Sequence, residues 1–178
     1  MGLKIGDTAS NFKLPGVDGA SYSLDNFIDS KILVIIFSCN HCPYVVSYEA
    51  RIIELQKKYK KDGVSFVLIN PNDEKVYAED SFNHMVARAK EKQYNFPYLR
   101  DTEQDTAKAY GAVKTPHVFM LDKERKLRYA GAIDDNWDDP QKVKNAYLMS
   151  ALESLLEEKE PPVQETLPVG CTVKWAKK

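Results

Sequence analysis

Cysteine is scarce in this 178-residue chain. Its three copies, Cys39, Cys42 and Cys171, are too few and too odd in number for the disulfide framework of a small secreted domain. An excess of either charge is also lacking: 25 Lys and Arg stand against 26 Asp and Glu, for a net charge of -1. No long-range field therefore invites nucleic acid or an anionic membrane. No apolar run approaches the ~18 residues that a spanning helix needs. The start, Met-Gly-Leu-Lys-Ile-Gly-Asp-Thr, lacks the apolar core of a signal peptide and the Ser or Thr at position 6 that accompanies myristoylation. Internal repeats and low-complexity tracts are absent too. The expectation is one enzyme-sized domain, cytoplasmic, with neither nucleic acid nor membrane among its partners.

What the chain does hold is concentrated in Cys39-Asn40-His41-Cys42-Pro43, directly behind the apolar run 31–38. Two thiols two residues apart, at the end of a buried strand and the start of a helix, can close a disulfide within one helical turn and exchange it with another dithiol. The thiolate is the reactive form, and a free thiol of pKa ~8.5 is mostly protonated at neutral pH. A helix starting here aims unpaired N–H groups at Cys39, and that dipole is worth ~0.3–1 kcal/mol, at most ~2. His41 is placed to add a hydrogen bond and, when protonated, a full charge. Asn40 adds polarity, and Pro43 fits the first turn, where a missing N–H deprives no carbonyl. Cys39 is thus expected to be the exposed, more acidic nucleophile and Cys42 the shielded resolving thiol.

Blander readings carry less weight. A structural zinc site needs a second ligand pair, and Cys171, His84 and His117 are scattered singly. Two inert packing cysteines would not call for a His and a Pro beside them at a strand-to-helix junction.

The rest of the chain reads as mixed α/β. Residues 5–28, with Gly6, Pro15-Gly16 and Asp18-Gly19, suggest a turn-rich N-terminal β-hairpin region. The run 31–38 is apolar throughout, as a central strand covered on both faces requires. From Pro43, the residues Val45, Tyr48, Ile52, Leu55 and Tyr59 recur at helical spacing up to Asp62-Gly63, and the strand 64–69 follows. This strand–helix–strand unit should cross over right-handed. Next come a helix over about 78–93, a short helix near 104–110, a hairpin of strands 117–121 and 126–131, and a helix from Pro140 to about Glu157. Residues 159–178 form a tail beyond Pro161-Pro162, expected to pack on the domain of residues 1–158.

That order, together with Thr115-Pro116 before the hairpin, resembles the thioredoxin fold in its larger redoxin version, the group related to alkyl hydroperoxide reductase and thiol-specific antioxidant. Within it, the chain is similar to thioredoxin-like proteins that carry Cys-Asn-His-Cys-Pro, Asn-Pro-Asn-Asp, Phe-Pro-Tyr-Leu-Arg-Asp and a closing Gly-Cys-x-x-Lys-Trp, here at 39–43, 70–73, 96–101 and 170–175. The resemblance implies a central mixed sheet flanked by helices and thiol–disulfide oxidoreductase activity. It also implies a cis Pro116 facing the cysteines, with the Thr115 backbone pairing with an extended substrate. Thr115, Asn40 and Pro43 are the candidate substrate contacts. The cysteine pair carries the electrons, so no cofactor or metal is expected. The partners are a disulfide-bearing protein or small molecule and a reductant or oxidant that the sequence does not name.

Departures from the pattern are specific. Thioredoxin has a Trp before its first cysteine and a buried acid in the preceding strand; here Ser38 precedes Cys39 and residues 32–37 hold no acid, so the proton acceptor for Cys42 is unassigned. His41 before the second cysteine favours an oxidising disulfide, whereas a cytoplasmic address favours a reductant, and the direction of electron flow stays open. The alternative is a thiol peroxidase with antioxidant activity. Peroxiredoxins share a Pro-x-x-x-Thr-x-x-Cys motif, but counting back from Cys39 gives Ile36 and Ile32, and from Cys42 gives Cys39 and Ile35. A copper-binding role through Cys39, Cys42 and a His is the weakest alternative, since such relatives space their cysteines by three.

Other residues read as follows. His84 is expected on the surface. His117 either lines the active face or fills an ordinary strand position. The acidic stretch around Trp137 reads as a solvated loop, since a calcium loop's Gly and Glu are missing. Cys171 is either a packing residue under a docked tail or a third thiol that exchanges with the Cys39–Cys42 pair.

Overall fold

The computed structural model describes residues 2–177. A small hairpin, β1 (Leu14–Pro15) and β2 (Ser21–Tyr22), is all that the N-terminal region contributes as paired strands. The rest of residues 5–28 is irregular, closed by a 3-10 turn over Leu24–Phe27. The central sheet begins with β3 (Ile32–Phe37), buried at every position. Helix α1 (Pro43–Tyr59) follows, then a 3-10 turn that ends on Gly63 at φ 80°, and β4 (Val64–Asn70), parallel to β3. Gly63 is favoured there because L side chains are crowded at positive φ.

Helix α2 (Phe82–Lys92) leads to β5 (Tyr98–Arg100), and α3 (Asp105–Tyr110) leads to β6 (Lys114–Thr115). The antiparallel hairpin of β7 (His117–Leu121) and β8 (Leu127–Gly131) completes a mixed sheet in the order β5-β4-β3-β7-β8. Side chains alternate across β3. Ile32, Val34 and Ile36 enter a core with Tyr48 and Ile52 of α1 and with Leu148 and Leu152 of α4 (Tyr147–Leu156). Leu33, Ile35 and Phe37 enter a second core with Phe12, Phe27 and Tyr110. Two covered faces are why the β3 sequence is apolar without a period.

Three expectations need correction. The helix expected from 78 starts at Phe82, because Ser81 takes an extended conformation and its Oγ accepts the His84 N–H as an N-cap. Residues Ala78–Asp80 form a separate 3-10 turn, which releases Asp80 from the helix. The helix expected from Pro140 starts at Tyr147. Asp135 accepts the N–H groups of Lys144 and Asn145, so the chain stays non-helical there and Val143 lies outside α4. Finally, the acidic loop is anchored as well as solvated: Asp134 is buried, 2.7 Å from both Arg51 and the Tyr48 hydroxyl, and Trp137 packs on Tyr44.

The tail after α4 is tied down along its length. Ala130 N–H donates to Gln164 O and Thr166 N–H to Ala130 O, each at 3.0 Å, along the edge of β8. Strand β9 (Cys171–Thr172) then pairs antiparallel with β6, setting Cys171 opposite Thr115. Farther on, Val173 is buried, Lys174 N–H donates to Asn72 Oδ1 at 2.9 Å, and Asp73 N–H donates to Lys174 O at 2.9 Å. No helix among the described residues is long and apolar enough to cross a membrane.

Candidate active site

The dithiol sits where β3 ends and α1 begins, with Cys42 as the residue preceding the helix and Pro43 in its first turn. Three groups converge on the sulfurs. Cys42 N–H donates to Cys39 Sγ at 3.3 Å, the Thr115 hydroxyl donates to Cys39 Sγ at 3.5 Å, and the Cys42 thiol donates to Thr115 O at 3.3 Å. The Thr115–Pro116 bond is cis, as the resemblance implied, and Pro116 lies buried against this site. Cys39, Cys42 and Thr115 are therefore brought together, with the cis Pro116 next to Thr115 in the chain.

The exposure of Cys39 is not as expected. It is 1% exposed and Cys42 is 0% exposed, because the chain covers the site from two sides. On one side stands the turn Ala78–Asp80. Asp80, fully buried, accepts the Asn40 N–H at 2.8 Å and the Asn70 amide at 3.2 Å on Oδ1, and the Asn72 amide at 2.9 Å on Oδ2. His41 Nδ1 lies 2.9 Å from Asp80 Oδ2, an electrostatic contact without the alignment of a hydrogen bond. Its ring stacks on Tyr77 at 4.1 Å and 5°. One nitrogen of His41, a carboxylate oxygen of Asp80 and Cys39 Sγ all lie within 4.8 Å of one another.

Asn40 is buried and committed to this network, its amide donating to Glu79 O and its carbonyl accepting the Tyr98 hydroxyl at 2.8 Å. It holds the loop in place and offers no free surface to a substrate. Pro43 is exposed at the mouth of the site. Thr115 is fully buried, and β9 occupies the strand edge expected for substrate.

On the other side stands Cys171, which packs against the cluster of Cys39, Cys42 and Val45. Gly170 permits that approach: a Cβ there would lie 2.2 Å from Thr115 O and 3.1 Å from Pro116 N. The thiols are electrostatically unequal, in the opposite sense to the expectation. The hydrogen bond shared with Cys42, burial and the charge of Asp80 push Cys39 well up, although the Thr115 hydroxyl pulls the other way. The same bond, aided by hydrogen bonding to Cys171, pulls Cys42 down to about 4 against its burial. Burial and the bond to Cys42 push Cys171 up to about 11. The pair thus gives up one proton easily and holds the next tightly, with Cys39 donating to Cys42 Sγ. The helix dipole that motivated an acidic Cys39 is outweighed by the hydrogen bond with Cys42, by burial and by the buried carboxylate of Asp80.

His117 is buried beside Phe119, and burial lowers its pKa to about 4; its Nδ1 accepts the Val113 N–H at 3.3 Å. It fills a strand position. His84 is exposed and bonded to Ser81, as expected. Asp80 is the functional residue that the sequence reading missed. The available signal was Asn70-Pro-Asn-Asp73 directly behind an apolar strand, since amides buried at a strand end need a buried acceptor.

The profile of the Redoxin family matches residues 4–147. Among curated proteins, the chain is 27% identical over 127 residues to the thiol-disulfide oxidoreductase ResA of Bacillus thuringiensis subsp. konkukian, covering 70% of this chain and 68% of that protein. It is 25% identical over 128 residues to ResA of Geobacillus thermodenitrificans, with 71% and 68% coverage. Among solved structures, an uncharacterized conserved protein of Geobacillus kaustophilus superposes with a TM-score of 0.93 at 37% identity, covering 99% of this chain and 94% of that one. A hypothetical protein of Sinorhizobium meliloti 1021 also gives 0.93, at 34% identity with 100% and 98% coverage. A putative thiol:disulfide interchange protein DsbE of Chlorobium tepidum gives 0.63 at 23% identity, over 72% of this chain and 84% of that one, and speaks for the fold.

Proposed function

The chain belongs to the Redoxin family, and on that premise we propose that Cys39 carries the mixed disulfide with substrate and Cys42 resolves it. The protein is a thiol–disulfide oxidoreductase. The observation that carries the assignment of roles is the pair of donors, Cys42 N–H and Thr115 O–H, aimed at Cys39 Sγ.

The chemistry follows from that geometry. Cys39 passes its proton to the Cys42 thiolate and attacks a substrate disulfide, releasing one substrate thiolate. That thiolate takes the proton back from Cys42. Cys42 then attacks Cys39 Sγ, expels the second substrate thiolate and closes the Cys39–Cys42 disulfide, so two electrons pass to the substrate. The released substrate thiolate thereby serves as the acceptor of the Cys42 proton that β3 does not supply. In the reverse direction an incoming thiolate attacks Cys39, and the easily ionised Cys42 is a good leaving group. His41 and Asp80 position the loop and set its charge. The substrates in this reading are disulfide-bearing proteins or small molecules, and the low cysteine content supports a cytoplasmic site of action.

Turnover of a small aromatic disulfide with dithiothreitol as donor tests this. Cys39→Ser should abolish turnover, and Cys42→Ser should accumulate a mixed disulfide visible as an intact-mass adduct. Turnover retained by Cys39→Ser would overturn the assignment. A peroxidase reading is not favoured, since Ile32 and Ile36 stand where its Pro and Thr would.

A further inference from the structure

The C-terminal tail holds the place that the fold offers to substrate, and it brings a thiol with it. Strand β9 pairs with β6 so that Cys171 faces Thr115, whose carbonyl oxygen is itself 3.3 Å from Cys42 Sγ. Cys171 packs against the cluster formed by Cys39, Cys42 and Val45. This placement is built from several independent contacts. Gly170 lacks the Cβ that would strike the Thr115–Pro116 backbone. Val173 N–H donates to Val113 O at 3.2 Å, and Lys174 is held by Asn72 and Asp73. Gln104 reaches in from α3 to donate to Lys174 O at 2.9 Å and accept the Ala176 N–H at 2.9 Å. Directly opposed residues of an antiparallel pair have Cα atoms only ~4.5–5.5 Å apart, so Cys171 is presented to the dithiol at the range of a bound substrate strand.

We propose that Cys171 is a third redox thiol, which exchanges with the Cys39–Cys42 disulfide to form a Cys42–Cys171 disulfide that fastens the tail over the substrate groove. The inference rests on the proposed roles of Cys39 and Cys42. Its starting point is the Cys39–Cys42 disulfide left after a substrate disulfide has been reduced. The Cys171 sulfur attacks Cys42 Sγ, the Cys39–Cys42 bond breaks, and the Cys42–Cys171 bond forms. Cys39 leaves with the electron pair and takes up the proton that Cys171 gives up. No electron enters or leaves the protein, and no further oxidant is required. The product closes its own groove, so an external thiol must attack the Cys42–Cys171 bond, or Cys39 must reverse the exchange, before the site accepts another substrate.

The test uses the full chain, oxidised with diamide, alkylated without reduction and digested with trypsin. Cys39 and Cys42 fall in the tryptic peptide 32–51 and Cys171 in 160–174. The proposal expects wild-type protein to give cross-linked 32–51/160–174. It also expects Cys39→Ser to give that cross-link as its main product, and Cys42→Ser to give at least tenfold less of it. Cys171→Ser should show only the closed loop within 32–51. Cys171 fully alkylated in both oxidised wild type and Cys39→Ser, while the wild-type Cys39–Cys42 loop forms normally, overturns this inference and leaves the proposed function standing. Failure of the Cys39–Cys42 loop to form in Cys171→Ser would overturn the proposed function itself.

Discussion

On the Cys39 side of the dithiol, the covering turn Ala78–Asp80 brings a buried carboxylate held by the Asn40 N–H and by two asparagine amides. On the Cys42 side, the tail brings backbone pairing and a thiol. Both sides exclude water from sulfurs that stand three residues apart, yet they set the sulfurs in opposite states. The hydrogen bond between the two sulfurs raises Cys39 and lowers Cys42; burial and the charge of Asp80 push Cys39 farther up, and hydrogen bonding to Cys171 draws Cys42 farther down. The lesson is that a Cys-x-x-Cys motif does not by itself assign which sulfur is acidic. The hydrogen bond within the pair and the segments folded over it do so together, and here those segments arrive from residues 78–80 and 170–172.

The largest effect is expected on the Asp80 side. Asp80→Ala leaves the Asn40 N–H and the Asn70 and Asn72 amides without their acceptor in a buried site, and should cost on the order of 3–5 kcal/mol in denaturant unfolding. A loss below about 1 kcal/mol would show that the network is not holding the turn.

Acid should act on the other side. His117 accepts the Val113 N–H, and Val113 O in turn accepts the N–H of Val173 from the tail. Burial lowers the His117 pKa to about 4, below the ~6.5 of an unfolded chain. Between those values the unfolded state binds a proton that the folded state does not, so stability falls as pH drops through that window. The loss should total about 3 kcal/mol, at one pKa unit per ~1.36 kcal/mol. Urea midpoints at pH 7, 5.5 and 4.5 measure it, and His117→Gln should flatten the dependence.

Gly170→Val should force β9 away from Thr115, at a cost of about 1–3 kcal/mol for an overpacked contact. Iodoacetamide should then label Cys42 several-fold faster than in wild type. Equal labelling rates would mean that the tail does not guard the sulfur.

A finer test compares charge alone. Asp80→Asn keeps an acceptor but removes the negative charge that pushes Cys39 up, so the second thiol ionisation, followed by absorbance at 240 nm, should move to lower pH while the first changes little. Cys171→Ser should instead move the first ionisation upward.

Much of the fold was legible because it is written in local periodicity. The apolar run 32–37, the helical spacing from Val45 to Tyr59 and the hairpin 117–131 all appear close to their expected bounds. The site was legible as far as Cys39, Cys42, Thr115 and Pro116. Asp80 was not, because its role depends on side-chain amides ten residues earlier and on a backbone N–H forty residues earlier, pairings that leave no period in the sequence. The helix boundaries at Phe82 and Tyr147 were missed for a related reason. Ser81 and Asp135 satisfy backbone donors through side chains, which overrides the apolar spacing around them. That the tail packs on the domain was expected from its apolar residues, but its pairing with Thr115 was not, because a two-residue strand leaves no pattern of its own.

The most direct test of the account is a redox titration of the full-length protein in buffers of reduced and oxidised dithiothreitol, with free thiols counted by alkylation and mass. The account predicts, for Cys171→Ser, one two-electron transition in which peptide 32–51 goes from two free thiols to none, and adding Cys39→Ser should abolish that transition. Two thiols in peptide 32–51 that stay fully alkylated across the whole range in Cys171→Ser would contradict it.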